Sequence, residues 1–372
     1  MSIPFFKPDY GAEEQKRVTE ALSSLGDPAA EAKSMLAKTY GEAIFLTASA
    51  TAAFELLFAT LGLERGGEVV MPSFTYPSCA NAILRAGLKP VFAEIDARTK
   101  TLDLNKLSAV LNANTRAVVP MHYGAASVDM DALKARVGGA LLIEDAALSF
   151  GARYRGTPLG AVGDMGVLSF HRTKNISADE GGLLVFSEKH RELAKKARTL
   201  YDNGTDRAAF LRGEVSAYTW RAAGVNVAMG RLNAALLCAQ LGRSADILHR
   251  HRQIYLRYLE NLSGAAKNRG FELPVIPDDN ENNFELFYIL LESETARDKV
   301  QAHLKEKGIG SAFHYMALHA SAMGHSLGYA PGDLPVTESV CGRLLRLPLF
   351  AGMTIEQCDL VSQAVKEALC RI

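Results

Sequence analysis

Leu168-Ser169-Phe170-His171-Arg172-Thr173-Lys174-Asn175, followed a few residues later by Asp179-Glu180-Gly181-Gly182, is the stretch around which the rest of the chain is organised. Met165 to Phe170 reads as a short buried strand that runs into a polar loop carrying one lysine. The glycine pair then opens a second apolar strand, Leu183-Leu184-Val185-Phe186. A lysine held between two buried strands, five residues after the hydroxyl of Ser169, is partly desolvated, and desolvation lowers an ammonium pKa toward neutrality. Such an amine can form a Schiff base with a carbonyl compound. The segment alone fits a solvated loop lysine better, and the remainder of the chain reverses that ranking.

Composition narrows the classes. At 372 residues with 48% hydrophobic and 22% charged content, the chain has material for a large core and two domains, expected at residues 1–245 and 246–372. The 41 basic residues balance the 41 acidic ones, so no overall field favours nucleic acid or an anionic membrane. The five cysteines form no CxxC pair and are odd in number, which argues against a disulfide framework or a zinc ribbon and for a reducing, cytoplasmic setting. The N-terminus lacks a basic region followed by an apolar run, and no uncharged stretch is long enough to span a bilayer. A cytoplasmic protein with no metal, nucleic-acid or membrane partner is the expectation.

The chain from residue 12 to residue 40 is helical in pattern, with a turn at Gly26-Asp27-Pro28. Ala43-Ile44-Phe45-Leu46 reads as a strand leading through Thr47-Ala48-Ser49-Ala50-Thr51 into a helix with Phe54, Leu57, Phe58 and Leu61 on one face. A small-residue turn between a strand and a helix start can hold an anion on its free N–H groups, although plain N-capping by Ser49 or Thr51 suits the same residues. Further strands are expected at Glu68 to Met71, Pro90 to Ala93, Ala117 to Met121 and Ala140 to Ile143, the last ending in Glu144-Asp145. Strands alternating with helices imply an α/β fold with a mostly parallel sheet and right-handed crossovers. Ligands in such sheets sit beyond the carboxyl ends of the strands, which gathers Ser49 to Thr51, Tyr76, His122, Asp145 and the Lys174 loop at one edge. No G-x-G-x-x-G follows a strand, so a dinucleotide fold is not supported.

The second half changes style. A long helix with Ile254, Tyr255, Tyr258, Leu259 and Leu262 on one side precedes short strand candidates at Phe271 to Pro274, Phe287 to Leu291 and Gly310 to Phe313. A helix lies between the last two, near residues 297–307, and a final helix opens at Thr354 with Gln357 at capping-box spacing. This mixture suggests a smaller α+β domain.

Ser49-Ala50-Thr51, Pro72-Ser73-Phe74-Thr75-Tyr76, Glu144-Asp145-Ala146-Ala147, the Lys174 stretch, Glu180-Gly181-Gly182, Gly224-Val225-Asn226 and Arg346-Leu347-Pro348-Leu349-Phe350 occur in one order along one chain. Together they resemble the DegT/StrS family of pyridoxal-phosphate (PLP) sugar-nucleotide aminotransferases, of fold type I. Ser169 to Asn175, Tyr218-Thr219-Trp220-Arg221 and Phe313-His314-Tyr315 with Leu318-His319 most resemble the branch that makes dTDP-4-amino-4,6-dideoxygalactose. The resemblance implies a seven-stranded-type sheet between helices and a homodimer with its active site at the subunit interface. It also implies transfer of an amino group from L-glutamate to a nucleotide-linked 4-keto-6-deoxysugar, such as dTDP-4-keto-6-deoxyglucose, for glycan biosynthesis. Amination at C3 of a related sugar and a non-catalytic, regulatory PLP-binding protein are the alternatives.

By the same resemblance Lys174 holds the cofactor covalently and moves the substrate proton, and Asp145 pairs with the pyridine nitrogen. Ala50, Thr51 and Ser169 bind the phosphate, Asn226 reaches it from a second subunit, and Tyr76 lies over the ring. His171, His314, Tyr315 and His319 are sugar-nucleotide contacts. Two departures stand out: Leu148 occupies a position where the family has glutamine or histidine, and the segment from Ser24 to Ala30 is shorter than the family's glycine-rich loop.

Overall fold

The apolar runs assemble into one seven-stranded sheet in a computed structural model that describes residues 2–23 and 25–371. Its strands are β1 (Ile44–Thr47), β2 (Glu68–Pro72), β3 (Lys89–Ala93), β4 (Thr115–Val118), β5 (Leu141–Asp145), β6 (Met165–Ser169) and β7 (Gly182–Phe186). They lie in the order β1-β7-β6-β5-β4-β2-β3, parallel throughout except that β7 runs antiparallel to both β1 and β6. The exception follows from the connection. The Lys174 loop that joins β6 to β7 holds no helix to carry a crossover, so the chain turns straight back. Every residue of β6 and β7 is buried, which accounts for uninterrupted apolar runs instead of alternation.

The first helices are α1 (Ala12–Ser23), α2 (Pro28–Tyr40), α3 (Ala50–Leu61) and α4 (Ser78–Arg85). The expected turn before Pro28 is the cap of α2: Asp27 accepts from the N–H groups of Ala29 and Ala30, and Pro28 takes the first helical position, where no donor is needed. Ser24, the first residue of the shortened segment, lies outside the described residues. Further helices are α5 (Arg191–Tyr201), α6 (Arg231–Gly242) and α7 (Ser244–Arg269).

A second apolar cluster gathers α7, α8 (Glu294–Glu306), α9 (Ile355–Leu369) and a two-stranded antiparallel sheet of β8 (Phe287–Leu290) and β9 (Leu344–Leu347). Ile3 joins this cluster from the other end of the sequence, its N–H bonded to Gly308 O at 2.9 Å. Thr354 and Gln357 form both bonds of a capping box at the start of α9. Two sequence expectations are corrected here. Phe271 to Pro274 and Gly310 to Phe313 are not strands, each being held by a single bridge, Glu272 to Leu290 and Ala312 to Arg346. The strand partner of β8 is β9, within a motif that the sequence reading used only for its likeness to relatives.

Candidate active site

The carboxyl ends of β1, β2, β5 and β6 face one edge of the sheet, and beyond them lies a cavity of about 480 Å³. Lys174 reaches it from the β6–β7 loop. That loop is closed by backbone bonds from Phe170 N to Gly181 O (2.8 Å), Ala178 N to Phe170 O (2.7 Å) and Lys174 N to His171 O (2.8 Å). Lys174 is half-buried and lines the cavity. Burial pushes its pKa below the ordinary lysine value, the charge of Glu285 pulls it back up, Arg346 adds to the lowering and Asp145 opposes it. The desolvated loop lysine expected from the sequence is therefore present.

Asp145 ends β5 with its carboxylate at the cavity wall. Burial raises its pKa above the ordinary aspartate value. Against this act the N–H of Ala147 at 3.2 Å, the charges of Lys174 and His122, and the Thr75 hydroxyl at 3.3 Å. The adjacent carboxylate has a different part. Glu144 is fully buried and accepts from Gly160, Val162 and Gly163 N–H at 2.7 to 2.8 Å and from His122 Nε2 at 2.9 Å. It pins the segment after β5, and its four bonds leave it no role toward a ligand. The His122 ring lines the cavity with Nδ1 buried and unpartnered.

The turn into α3 combines both of its sequence readings. Ser49 caps the helix by accepting from Ala52 N at 3.1 Å, which leaves the N–H groups of Ala50 and Thr51 at the helix start for an anion. Gly182 fixes how close β7 comes. A Cβ there would meet the Ser49 carbonyl carbon and oxygen at 2.5 Å and Ala50 N at 2.6 Å, so only glycine lets the strand touch this turn. Ser169 Oγ and Thr51 Oγ1 complete this corner; the latter is bonded to Ser78 Oγ at 2.7 Å.

Tyr76, His171, His314, Tyr315 and Leu148 also line the cavity. Tyr76 is 65% exposed, which leaves its ring free to cover a ligand. Arg346 Nη1 lies 3.1 Å from His314 Nε2, and because arginine only donates, the histidine proton sits on Nδ1, toward the Tyr123 hydroxyl at 3.3 Å. Burial first, then the charges of Arg346 and Lys174, hold His314 well below the ordinary histidine pKa. His171 is bonded to Thr173 Oγ1 at 2.9 Å and faces Glu180 at 3.4 Å.

Two expected residues of this chain do not line the cavity. His319 is fully buried, with Nδ1 on Ser73 Oγ at 2.7 Å and Nε2 on Glu338 at 2.9 Å, so neither nitrogen is left for a substrate. The same-chain Asn226 is exposed beside β1 and does not line the cavity. Sequence reasoning missed Thr75, Glu285 and the second role of Arg346. Thr75 lay inside a motif already quoted; Glu285 carried no local signal.

A model of the DegT/DnrJ/EryC1/StrS aminotransferase family matches residues 8–366. The chain belongs to this family. Among its relatives, the spore coat polysaccharide biosynthesis protein SpsC of Bacillus subtilis (strain 168) is 32% identical, over 98% of this chain and 96% of that one. The aminotransferase TlmJ from Streptoalloteichus hindustanus superposes with a TM-score of 0.90 at 27% identity, covering 100% of both chains. The PLP-form of the sugar aminotransferase Spr1654 from Streptococcus pneumoniae shares the fold, with a TM-score of 0.91 at 24% identity over 100% of this chain and 99% of that one. As a DegT/StrS aminotransferase the chain is expected to use PLP, and its donor set fits: an amine for an aldehyde, a carboxylate for a pyridine nitrogen and an anion-ready helix start for a phosphate. Among the described residues no helix is long and apolar enough to cross a membrane, and no cluster of His, Cys, Asp and Glu could hold a metal ion.

Proposed function

We propose that the chain is a PLP-dependent transaminase that moves the amino group of L-glutamate onto a nucleotide-linked keto-deoxysugar, with dTDP-4-keto-6-deoxyglucose the first substrate to test. The observation that carries the reading is that Lys174, Asp145 and the Ser49 to Thr51 turn open on one cavity. Family membership and a polysaccharide-biosynthesis relative support the sugar class.

When bound, the cofactor supplies an electron sink for the carbon that loses its proton. The chain's own residues do the rest. Asp145 holds a positive pyridine nitrogen, Ala50, Thr51 and Ser169 hold the phosphate, and Tyr76 covers the ring face. Lys174 Nζ takes up and returns the substrate proton, a task suited to an amine whose pKa burial has lowered. Asn226 of a second copy completes the phosphate site in a homodimer, and residues 1–245 and 246–372 form the large and small domains. His171, His314 and Tyr315 contact the sugar nucleotide.

An absorbance spectrum tests the reading. The band of the bound cofactor is expected to change on adding L-glutamate and to return with one ketosugar of a dTDP-linked panel. A band that no amino donor changes would replace this proposal with the non-catalytic one.

A further inference from the structure

Glu285 lies two residues before β8, at 5% exposure, and is bonded to the Lys174 loop. Its Oε2 accepts from the N–H of Asn175, the residue after Lys174, at 2.9 Å. Its Oε1 is buried and has no partner. Leaving a carboxylate oxygen unpaired in the interior is costly, and a purely structural anchor for one N–H would be served as well by a neutral amide. Glu285 and Lys174 also line one small cavity of about 20 Å³, enough for a single water, with Gln240 and His251 on its other sides.

We propose that Glu285 is the positioning residue that holds the proton of Lys174, one carboxylate oxygen fixing the lysine loop and the other exchanging a proton with Nζ through one water in the small cavity. This rests on the reading of Lys174 as the reactive amine. The exchange balances within the pair: the ammonium of Lys174 gives one proton to the carboxylate, leaving a neutral amine and a neutral acid, and the reverse step restores both charges.

The surroundings suit such a pair. Burial pushes the Glu285 carboxyl up to about 7, with Lys174, the Asn175 N–H and Arg346 pulling it down. Burial lowers Lys174 from the opposite side, so the two groups approach each other in proton affinity. Of the other ionisable groups nearby, Asp145 also acts on Lys174, from the wall of the larger cavity. His251 is pushed down to about 4 and is neutral near pH 7, Asp9 is bonded to Arg243 and Arg250, Lys7 is exposed, and the Tyr315 hydroxyl is held well above its ordinary pKa by burial. Arg346 carries a fixed charge.

The test follows acetylation of Lys174 by acetic anhydride against pH in the full-length, cofactor-free chain, read by peptide mass spectrometry. Only the neutral amine reacts. Glu285→Gln keeps an acceptor for Asn175 N and removes the charge that favours the ammonium, so the midpoint should fall by about one pH unit. An unchanged or higher midpoint overturns the proposal. A second measurement leaves Glu285 intact: the infrared C=O band of a buried protonated carboxyl should titrate near pH 7 in the parent and at higher pH in Lys174→Ala, where the opposing charge is gone. Equal midpoints in the two proteins overturn it too. Neither readout involves a sugar or an amino donor, so failure of the substrate assignment leaves both standing.

Discussion

The two walls of the cavity are built from opposite kinds of sequence. On the strand-end wall, backbone N–H groups meet near neighbours, Ser49 capping Ala52 three residues on and Asp145 accepting from Ala147 two residues on, and only the Thr75 hydroxyl reaches Asp145 from 70 positions away. On the facing wall polar groups are satisfied across the chain. Asn175 bonds Glu285 over 110 positions, and His314 bonds Tyr123 over 191. The difference separates two jobs. Local bonds can fix a reacting group to a strand end with little freedom, whereas long-range bonds let the rest of the fold choose what surrounds it.

If the strand-end wall holds the reacting groups, Lys174→Ala should lower turnover by more than about a thousandfold and leave the melting temperature nearly unchanged, since one loop amine contributes no core packing. Transamination retained in that variant would remove the basis of the comparison. Asp145→Asn should slow the glutamate half-reaction by about a hundredfold or more, measured in single-turnover absorbance. A parental rate would remove the pyridine-nitrogen role.

Smaller effects sharpen the contrast. Gly182→Ala should cost about 1 to 3 kcal/mol in denaturant titration, because its Cβ collides with backbone at Ser49 and Ala50 rather than with a movable side chain. Phosphate-dependent cofactor retention should weaken with it. On the facing wall, His314→Gln should raise the KM for the ketosugar by about tenfold while sparing the glutamate half-reaction. Equal losses in both half-reactions would mean that the two walls do not divide the work. Thr354→Ala, remote from the cavity, should cost about 1 kcal/mol of stability through loss of the α9 cap and leave both half-reactions unchanged.

Much of the site was legible because its signals are short. The apolar run of β6, the lysine five residues after Ser169 and the glycine pair opening β7 state a strand, a loop and a close approach within eighteen residues of one another. The acid pair after β5 was equally visible, but sequence could not say that Glu144 is consumed by three backbone N–H groups while Asp145 keeps its face to the cavity. His319 shows the same limit in reverse. A histidine in a motif at a loop reads as a contact, and its burial between Ser73 and Glu338 depends on a loop packing 246 positions from its partner.

By itself the sequence determined the strands of the seven-stranded sheet and their order along the chain, because apolar periodicity, caps and glycine positions act through sterics between near neighbours. It also determined which aspartate stands at a strand end and which lysine stands in the loop beyond one. The tertiary structure decided the reversal of β7, the place of Ile3 beside α8 and α9, and the meeting of Glu285 with the Lys174 loop. Those depend on which distant surfaces exclude water together, and a glutamate destined for the interior is written with the same letter as one on the surface.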